Sequence, residues 1–230
     1  KMDRENASFE KALESVRNGV DDVRLIPMQL PWGEKADFQG VIDLITMKAY
    51  KGDGKTAVEI PANLKDEAEE ARMVLVEAAA EGEDSLLEKY FENGDLTSEE
   101  ILQGLHKAIQ ESNIMPVLVA AGGRMIGIAP LMDALLSLAP APTERPAVTA
   151  KSPKGEVELK FDDSGPLAAY VWKTTADPFV GRQTYFRVYS GVMESGSYVL
   201  NSTKSNKVRV GRLVQMHANK QEQREAIFCG

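Results

Sequence analysis

The sequence predicts a multidomain protein in which an α/β unit is followed by an all-β unit. Three observations carry this. Up to about residue 140, strand-like runs alternate with segments whose apolar residues recur every three or four positions, the helical period. From about residue 155 that period vanishes, and short alternating runs punctuated by glycine turns indicate a sandwich or barrel. Between the two lies APAPTERPAVTA, whose Pro140, Pro142 and Pro146 are expected to forbid a helix and favour an extended tether.

The elements follow in order. Phe9, Leu13, Val16 and Val20 line one face of an amphipathic helix that stops near Gly19. VRLIPMQLP reads as extended, and FQGVIDLITMKAYKGDGKTAVEI as a hairpin about the Lys51-Gly52-Asp53-Gly54 turn signal. Leu64, Ala68, Ala71, Leu75, Ala78 and Ala79 form the apolar stripe of a second helix, with DEAEEAR on its wet face. A short third helix carries Leu86, Leu87, Tyr90 and Phe91. The next starts at Thr97-Ser98-Glu99-Glu100, a capping box, and runs through Ile101, Leu105 and Ile109. PVLVA is a short buried-type strand, and a loop with Gly122, Gly123 and Gly127 leads into IAPLMDALLSLAP, a helix expected to bury Ile128, Leu131, Leu135 and Leu138. In the all-β part, LAAYVWKT, QTYFRVYSG, GSYVLNST, KVRVGRLVQM and EAIFCG are the strand runs.

Composition narrows the function classes. A 43% hydrophobic and 27% charged chain is ordinary for a globular protein, and no apolar run reaches the roughly 18 residues of a membrane span. The single cysteine, Cys229, excludes an internal disulfide framework and fits a reducing, cytoplasmic setting. Residues 1–150 hold 15 Lys/Arg against 27 Asp/Glu, whereas residues 151–230 hold 12 against 8. The first part is therefore acidic, net −12, and the second mildly basic, net +4, which suggests two units with different partners. The basic excess permits nucleic-acid binding without proving it.

Few residues carry chemistry by pattern. His106 and His217 stand apart, and no Cys/His/carboxylate cluster has metal-ligand spacing. Asp162-Asp163 falls in a loop and Glu69-Glu70 on a solvated helix face, so neither pair implies acid–base work. QTYFRVYSG alternates aromatic and basic residues, as an RNA-binding face does and as any half-buried strand does. Lys1-Met2-Asp3 matches the end of Asn-Lys-x-Asp, the signature by which P-loop GTPases choose guanine. There the aspartate accepts from guanine N1–H and the exocyclic amine, and the lysine stem covers the ring. Here the asparagine would sit one residue upstream, and taken alone the tripeptide reads first as a charged helix start.

The segments after KMDR decide how far that motif can be taken. GVIDLITMKAY, an acidic helical stretch, PVLVAA before a helix ending in LAPAP, and DPFVGRQTYFRVYSGVMESGSYVLNSTK follow in one order. This order closely resembles bacterial translation elongation factor G. The resemblance covers essentially the whole chain and is most specific over residues 1–4, 38–50 and 174–217. It implies the end of a P-loop GTPase domain at 1–26 and 114–140, an inserted α+β subdomain at 27–113, a proline-rich linker at 141–154, and a truncated Greek-key β-barrel second domain at 155–230.

What the resemblance implies for function is a ribosomal translocation GTPase. The parent protein would couple GTP hydrolysis to tRNA and mRNA movement, using GTP or GDP and Mg2+. Its barrel would meet small-subunit ribosomal RNA and protein, and its inserted subdomain the large-subunit stalk, with neither membrane nor DNA as a partner. Lys1, Asp3, Ala121, Gly122 and Gly123 carry over as guanine-binding positions, with no catalytic and no metal-binding residue. No Gly-x-x-x-x-Gly-Lys-Ser/Thr occurs, so phosphates lack a backbone cradle and this chain alone is expected to be inactive with no ligand bound. The family's Gly-Ser-Ala after the last strand is here Ala120-Ala121-Gly122, which keeps a backbone contact and loses a hydroxyl brace. A divergent paralogue, weaker guanine discrimination, or a glycine loop with no ligand all fit that change. Related translational GTPases (ribosomal protection or release factors) and a stand-alone ribosome-binding adaptor without nucleotide chemistry are the alternatives.

Overall fold

The computed structural model describes residues 1–20, 23–152, 155–177, 181–218 and 220–230. Parts of three sequence features therefore lie outside the described residues: Pro178, Phe179 and Val180 of DPFVG, Asn219 after VGRLVQMHA, and Pro153-Lys154 at the end of the expected linker. The chain divides into two compact units, Lys1–Pro140 and Ala141–Gly230.

The first unit is α/β. Its elements are α1 (Phe9–Arg17), β1 (Arg24–Pro27), β2 (Gln29–Trp32), β3 (Gly40–Asp43), β4 (Lys48–Lys51), β5 (Ala57–Val58), α2 (Lys65–Ala80), α3 (Asp84–Asn93), α4 (Ser98–Gln110), β6 (Ile114–Val117) and α5 (Ile128–Leu138). β1 pairs in parallel with β6, so two segments about ninety residues apart lie side by side. β2, β3, β4 and β5 form a four-stranded antiparallel sheet in that order. The main core joins Ile26, Met28 and Leu30 of the strands to Leu75 and Ala79 of α2 and Ile101 and Leu105 of α4. The alanine stripe of α2 lets α4 approach closely: a Cβ at Gly104 would stand 2.0 Å from the Ala79 carbonyl oxygen. The Thr97 hydroxyl accepts from the Glu100 N–H while the Glu100 carboxylate takes the Thr97 N–H, closing the capping box of α4.

Several expectations need correction. The single hairpin expected over residues 38–60 is three strands, because a second turn hides in LITM. Asp43 Oδ1 accepts the N–H groups of Ile45 and Thr46, and this Asx turn overrides the strand propensity of Ile45 and Thr46. The PVLVA strand is displaced to Ile114–Val117, where β1 supplies a partner. α1 buries none of its stripe fully, Phe9 and Leu13 being half-buried, and α5 buries Leu138 but leaves Leu135 half exposed and Leu136 83% exposed. Pro142 does not exclude helix altogether: it opens a single 3-10 turn, Pro142–Glu144, where its missing N–H costs nothing.

The second unit is all-β. β7 (Val148–Ser152), β8 (Gly155–Leu159), β9 (Ala168–Asp177), β10 (Gly181–Ser190), β11 (Met193–Glu194), β12 (Tyr198–Asn201), β13 (Asn206–Arg209), β14 (Leu213–His217), β15 (Lys220–Arg224) and β16 (Ala226–Ile227) follow in order. β7 already occupies the second half of the expected linker. Among the described residues the ladders are five separate two-stranded antiparallel sheets rather than one closed Greek-key barrel: β7–β8, β9–β10, β11–β16, β12–β13 and β14–β15. KVRVGRLVQM is not one strand, because Val210 to Arg212 separate β13 from β14. The β11–β16 pair is the long-range closure, bracketing the two hairpins between them. Val188, Met193 and Leu213 are buried together beneath Phe186, Val210, Ile227 and Cys229.

Candidate guanine-reading site

The two sequence-predicted arms of the site are brought together. Residues 1–4 form a turn in which the Arg4 N–H donates to the Lys1 carbonyl at 3.2 Å. The Met2 N–H donates to the Ala120 carbonyl at 3.4 Å. Met2 is buried with Phe38, Val41, Val119, Ala121 and Ile126. Its neighbours on either side, Lys1 and Asp3, are exposed and half-exposed. One buried methionine thus anchors the turn, and the two residues that would read the base stay on its outer side.

The second arm is a tight loop closed by a two-way backbone bridge. Ala121 donates to the Ile126 carbonyl at 3.0 Å and accepts from the Ile126 N–H at 3.2 Å. Gly122, Gly123 and Arg124 form a 3-10 turn between them, and the first N–H groups of such a turn have no acceptor within it. A Cβ at Gly122 or Gly123 would meet nothing within 4 Å, so a flat ligand can approach the backbone closely there. Ala121 is fully buried, which places it under the loop as support rather than on the ligand side.

Four supporting residues carry no signal in the sequence. Gln29, 1% exposed, accepts the Val119 N–H on Oε1 at 3.2 Å and so fixes the chain just before the loop. Phe38 packs against both Met2 and Ala121. Lys35 donates its N–H to the Met2 carbonyl at 2.8 Å, and Glu34 accepts the Phe9 N–H at 2.6 Å. The β4–β5 turn reaches the other side: the Gly52 carbonyl accepts from Gly127 at 3.0 Å and the Asp53 carbonyl from Ala129 at 3.4 Å. Only long-range pairing assembles these contacts, and local pattern does not report it. The same holds for Gly54-Lys55-Thr56, which sits in this hairpin turn and not ahead of a helix, the placement a phosphate cradle needs.

The remaining chemical groups are accounted for structurally. The Ser164 N–H and hydroxyl, both donating to Asp162, hold its carboxyl below the ordinary range. Asp163 accepts the Cys229 N–H at 2.9 Å, and burial followed by that carboxylate pushes the Cys229 thiol up. Glu69 lies 3.7 Å from Lys65 along α2. Among the described residues no group of His, Cys, Asp and Glu could hold a metal ion, and no helix is long and apolar enough to cross a membrane. What the described residues bring together is the Lys1–Asp3 turn and the Ala121–Gly123 loop.

Comparison with known proteins bears on the all-β unit most directly. A family model for elongation factor G domain 2 matches residues 166–230. Residues 166–230 are thus an elongation factor G domain 2 by sequence. The domain 2 match opens at Pro166, just ahead of β9, and runs through β16, taking in DPFVG, RVYSG and VGRLVQMHAN. A crystal structure from Thermus thermophilus is similar over 100% of this chain, with a TM-score of 0.76 and 28% sequence identity. This chain spans 32% of the length of that structure.

Proposed function

We propose that the chain serves a translational GTPase of the elongation factor G type, whose whole protein couples GTP hydrolysis to movement of tRNA and mRNA on the ribosome. The observation that carries this is the domain 2 match over residues 166–230. The convergence of Lys1-Met2-Asp3 on the Ala121–Gly123 loop supports it. In this reading Asp3 accepts the guanine N1–H and amine, the Lys1 stem covers the ring, and the Gly122 N–H meets the base oxygen. GTP and Mg2+ supply the reacting phosphate and its charge neutralisation when bound, through groups that these 230 residues do not include.

Residues 1–26 and 114–140 are assigned to the end of the GTPase domain, 27–113 to its inserted subdomain, and 155–230 to the second domain. The parallel pairing of β1 with β6 supports the first assignment, since it makes two distant segments neighbours in one sheet. The second domain, with its basic excess, is the surface for small-subunit RNA and protein, and the acidic insert faces the large-subunit stalk, in the cytoplasm. The absence of a phosphate cradle also favours a second reading, an adaptor that binds ribosomes without nucleotide chemistry.

Co-sedimentation with 30S particles tests the shared element. Saturable binding that weakens with salt is expected, and no binding at low salt contradicts both readings. Calorimetric titration with GDP tests the nucleotide part: this chain is expected to show no micromolar affinity, and micromolar binding would overturn the role given to the missing phosphate groups.

A further inference from the structure

The β3–β4 hairpin and the two turns that flank it touch both arms of the candidate site. Ahead of β3, Gly33 and Lys35 stand at φ +79° and +57°, in the left-handed region. Glycine holds that conformation freely, whereas lysine holds it only at a cost. The strained residue is the one that reaches the first arm: the Lys35 N–H donates to the Met2 carbonyl at 2.8 Å. Beside it the Glu34 carboxylate takes the Phe9 N–H at 2.6 Å, where Ser8 supplies no side-chain cap. Asp3 lies between these two fixed points, one residue after Met2 and six before Phe9.

The turn beyond β4 reaches the second arm. The Gly52 carbonyl accepts from Gly127 and the Asp53 carbonyl from Ala129, just past the Ala121–Ile126 bridge. Gly54 packs so closely on Pro130 that a Cβ there would stand 2.3 Å from the proline Cδ. Between the two turns, Phe38 and Val41 are fully buried with Met2, Ala121 and Ile126, and Tyr50 packs on the same cluster. Gly40 pairs with Lys51 and Val41 with Tyr50, so a hydrogen-bonded ladder joins the turn that holds Met2 to the turn that holds Gly127. Neither Glu34 nor Lys35 belongs to either motif, and both act on Asp3 through the backbone that carries it.

We propose that the β3–β4 hairpin is a clamp that sets the spacing of the two arms, with Glu34 the positioning residue for Asp3. The clamp rests on the guanine reading above and determines how sharply the site separates guanine from a base without the exocyclic amine. Asp3 accepts the N1–H and the amine together only with both carboxylate oxygens aligned on the base, and a small rotation of the turn loses one of them. NMR titration of residues 1–230 with guanosine monophosphate, beside inosine monophosphate, which lacks that amine, tests it. The guanine nucleotide shifts the Asp3, Gly122 and Gly123 amides saturably at millimolar concentration, and the inosine nucleotide binds about fivefold more weakly. Glu34→Ala narrows that ratio to about twofold or less, and Glu34→Gln, which keeps an acceptor for the Phe9 N–H, restores most of it. Thr97→Ala removes the α4 cap, outside the cluster around Met2, and leaves the ratio unchanged. An unchanged ratio in Glu34→Ala, or one narrowed equally by Thr97→Ala, overturns the clamp alone. No saturable shift with guanosine monophosphate in the unaltered chain defeats the guanine reading, and the clamp with it.

Discussion

The carboxylate of Glu34 accepts the backbone N–H of Phe9 at 2.6 Å. Phe9 opens α1, and the preceding Ser8 supplies no side-chain cap, so a residue from a distant loop does the capping. Its neighbour Lys35 holds the Met2 carbonyl at 2.8 Å. One short segment therefore fixes both the Lys1–Asp3 turn and the helix that follows. Glu34→Ala is expected to cost about 1 kcal/mol in urea unfolding and to speed amide exchange at Phe9, while Glu34→Gln, which keeps an acceptor, costs less. Unchanged exchange at Phe9 in Glu34→Ala would mean that the cap is not formed in solution.

Gly127 tests the other arm. Its φ of +73° lies in the left-handed region, and an added Cβ would stand 2.7 Å from the Val119 carbonyl oxygen. Gly127→Ala combines backbone strain with a clash against main chain and should destabilise the first unit by roughly 2–4 kcal/mol. Gly52, at φ +62° with nothing near a Cβ, carries the strain alone. Its alanine variant should lose about 1 kcal/mol. Thermal melts of the two variants distinguish clash from strain.

The α4 cap predicts a pH dependence. Hydrogen bonds from the Lys89 ammonium and then from the Thr97 N–H and hydroxyl lower the Glu100 carboxyl from 4.5 to about 2. A carboxyl with a depressed folded pKa contributes stability that is fully present above its unfolded value and is lost as pH falls through the folded one. Amide protection at the start of α4 should therefore decline between about pH 4.5 and 2. Glu100→Gln should remove that component, and an NMR titration of the Glu100 side chain reads the same transition directly.

Hydrogen exchange should rank the helices by what covers them. α1 has no buried residue, whereas α4 buries Ile101, Gly104, Leu105 and Ala108. Exchange in α1 should run well ahead of that in α4, approaching the behaviour of a fraying end. Equal protection would mean that the Phe9 and Val16 face is covered in solution.

The parts of the fold visible in the sequence are those with local causes. The period of Leu75, Ala78 and Ala79 marks the buried face of α2, and Thr97 with Glu100 marks the start of α4, because each signal is confined to a turn or two. The turn at Asp43 is hidden because its geometry depends on one side chain accepting two N–H groups within residues that otherwise favour strand. The site divides in the same way. Lys1, Asp3 and the glycines of 122–123 stand out as motif residues, but Gln29, Glu34, Lys35 and Phe38 do not. Their roles come from contacts across 25 to 90 residues of chain. The exposed Leu136 escapes the helical pattern too, since periodicity marks an apolar face without saying what covers it.

Competition on the ribosome tests the central claim most directly. Residues 1–230 are titrated against elongation factor G on 30S particles at fixed low salt. Mutual displacement is expected, carried by residues 155–230 and indifferent to added GDP. Simultaneous binding of both without displacement would contradict it.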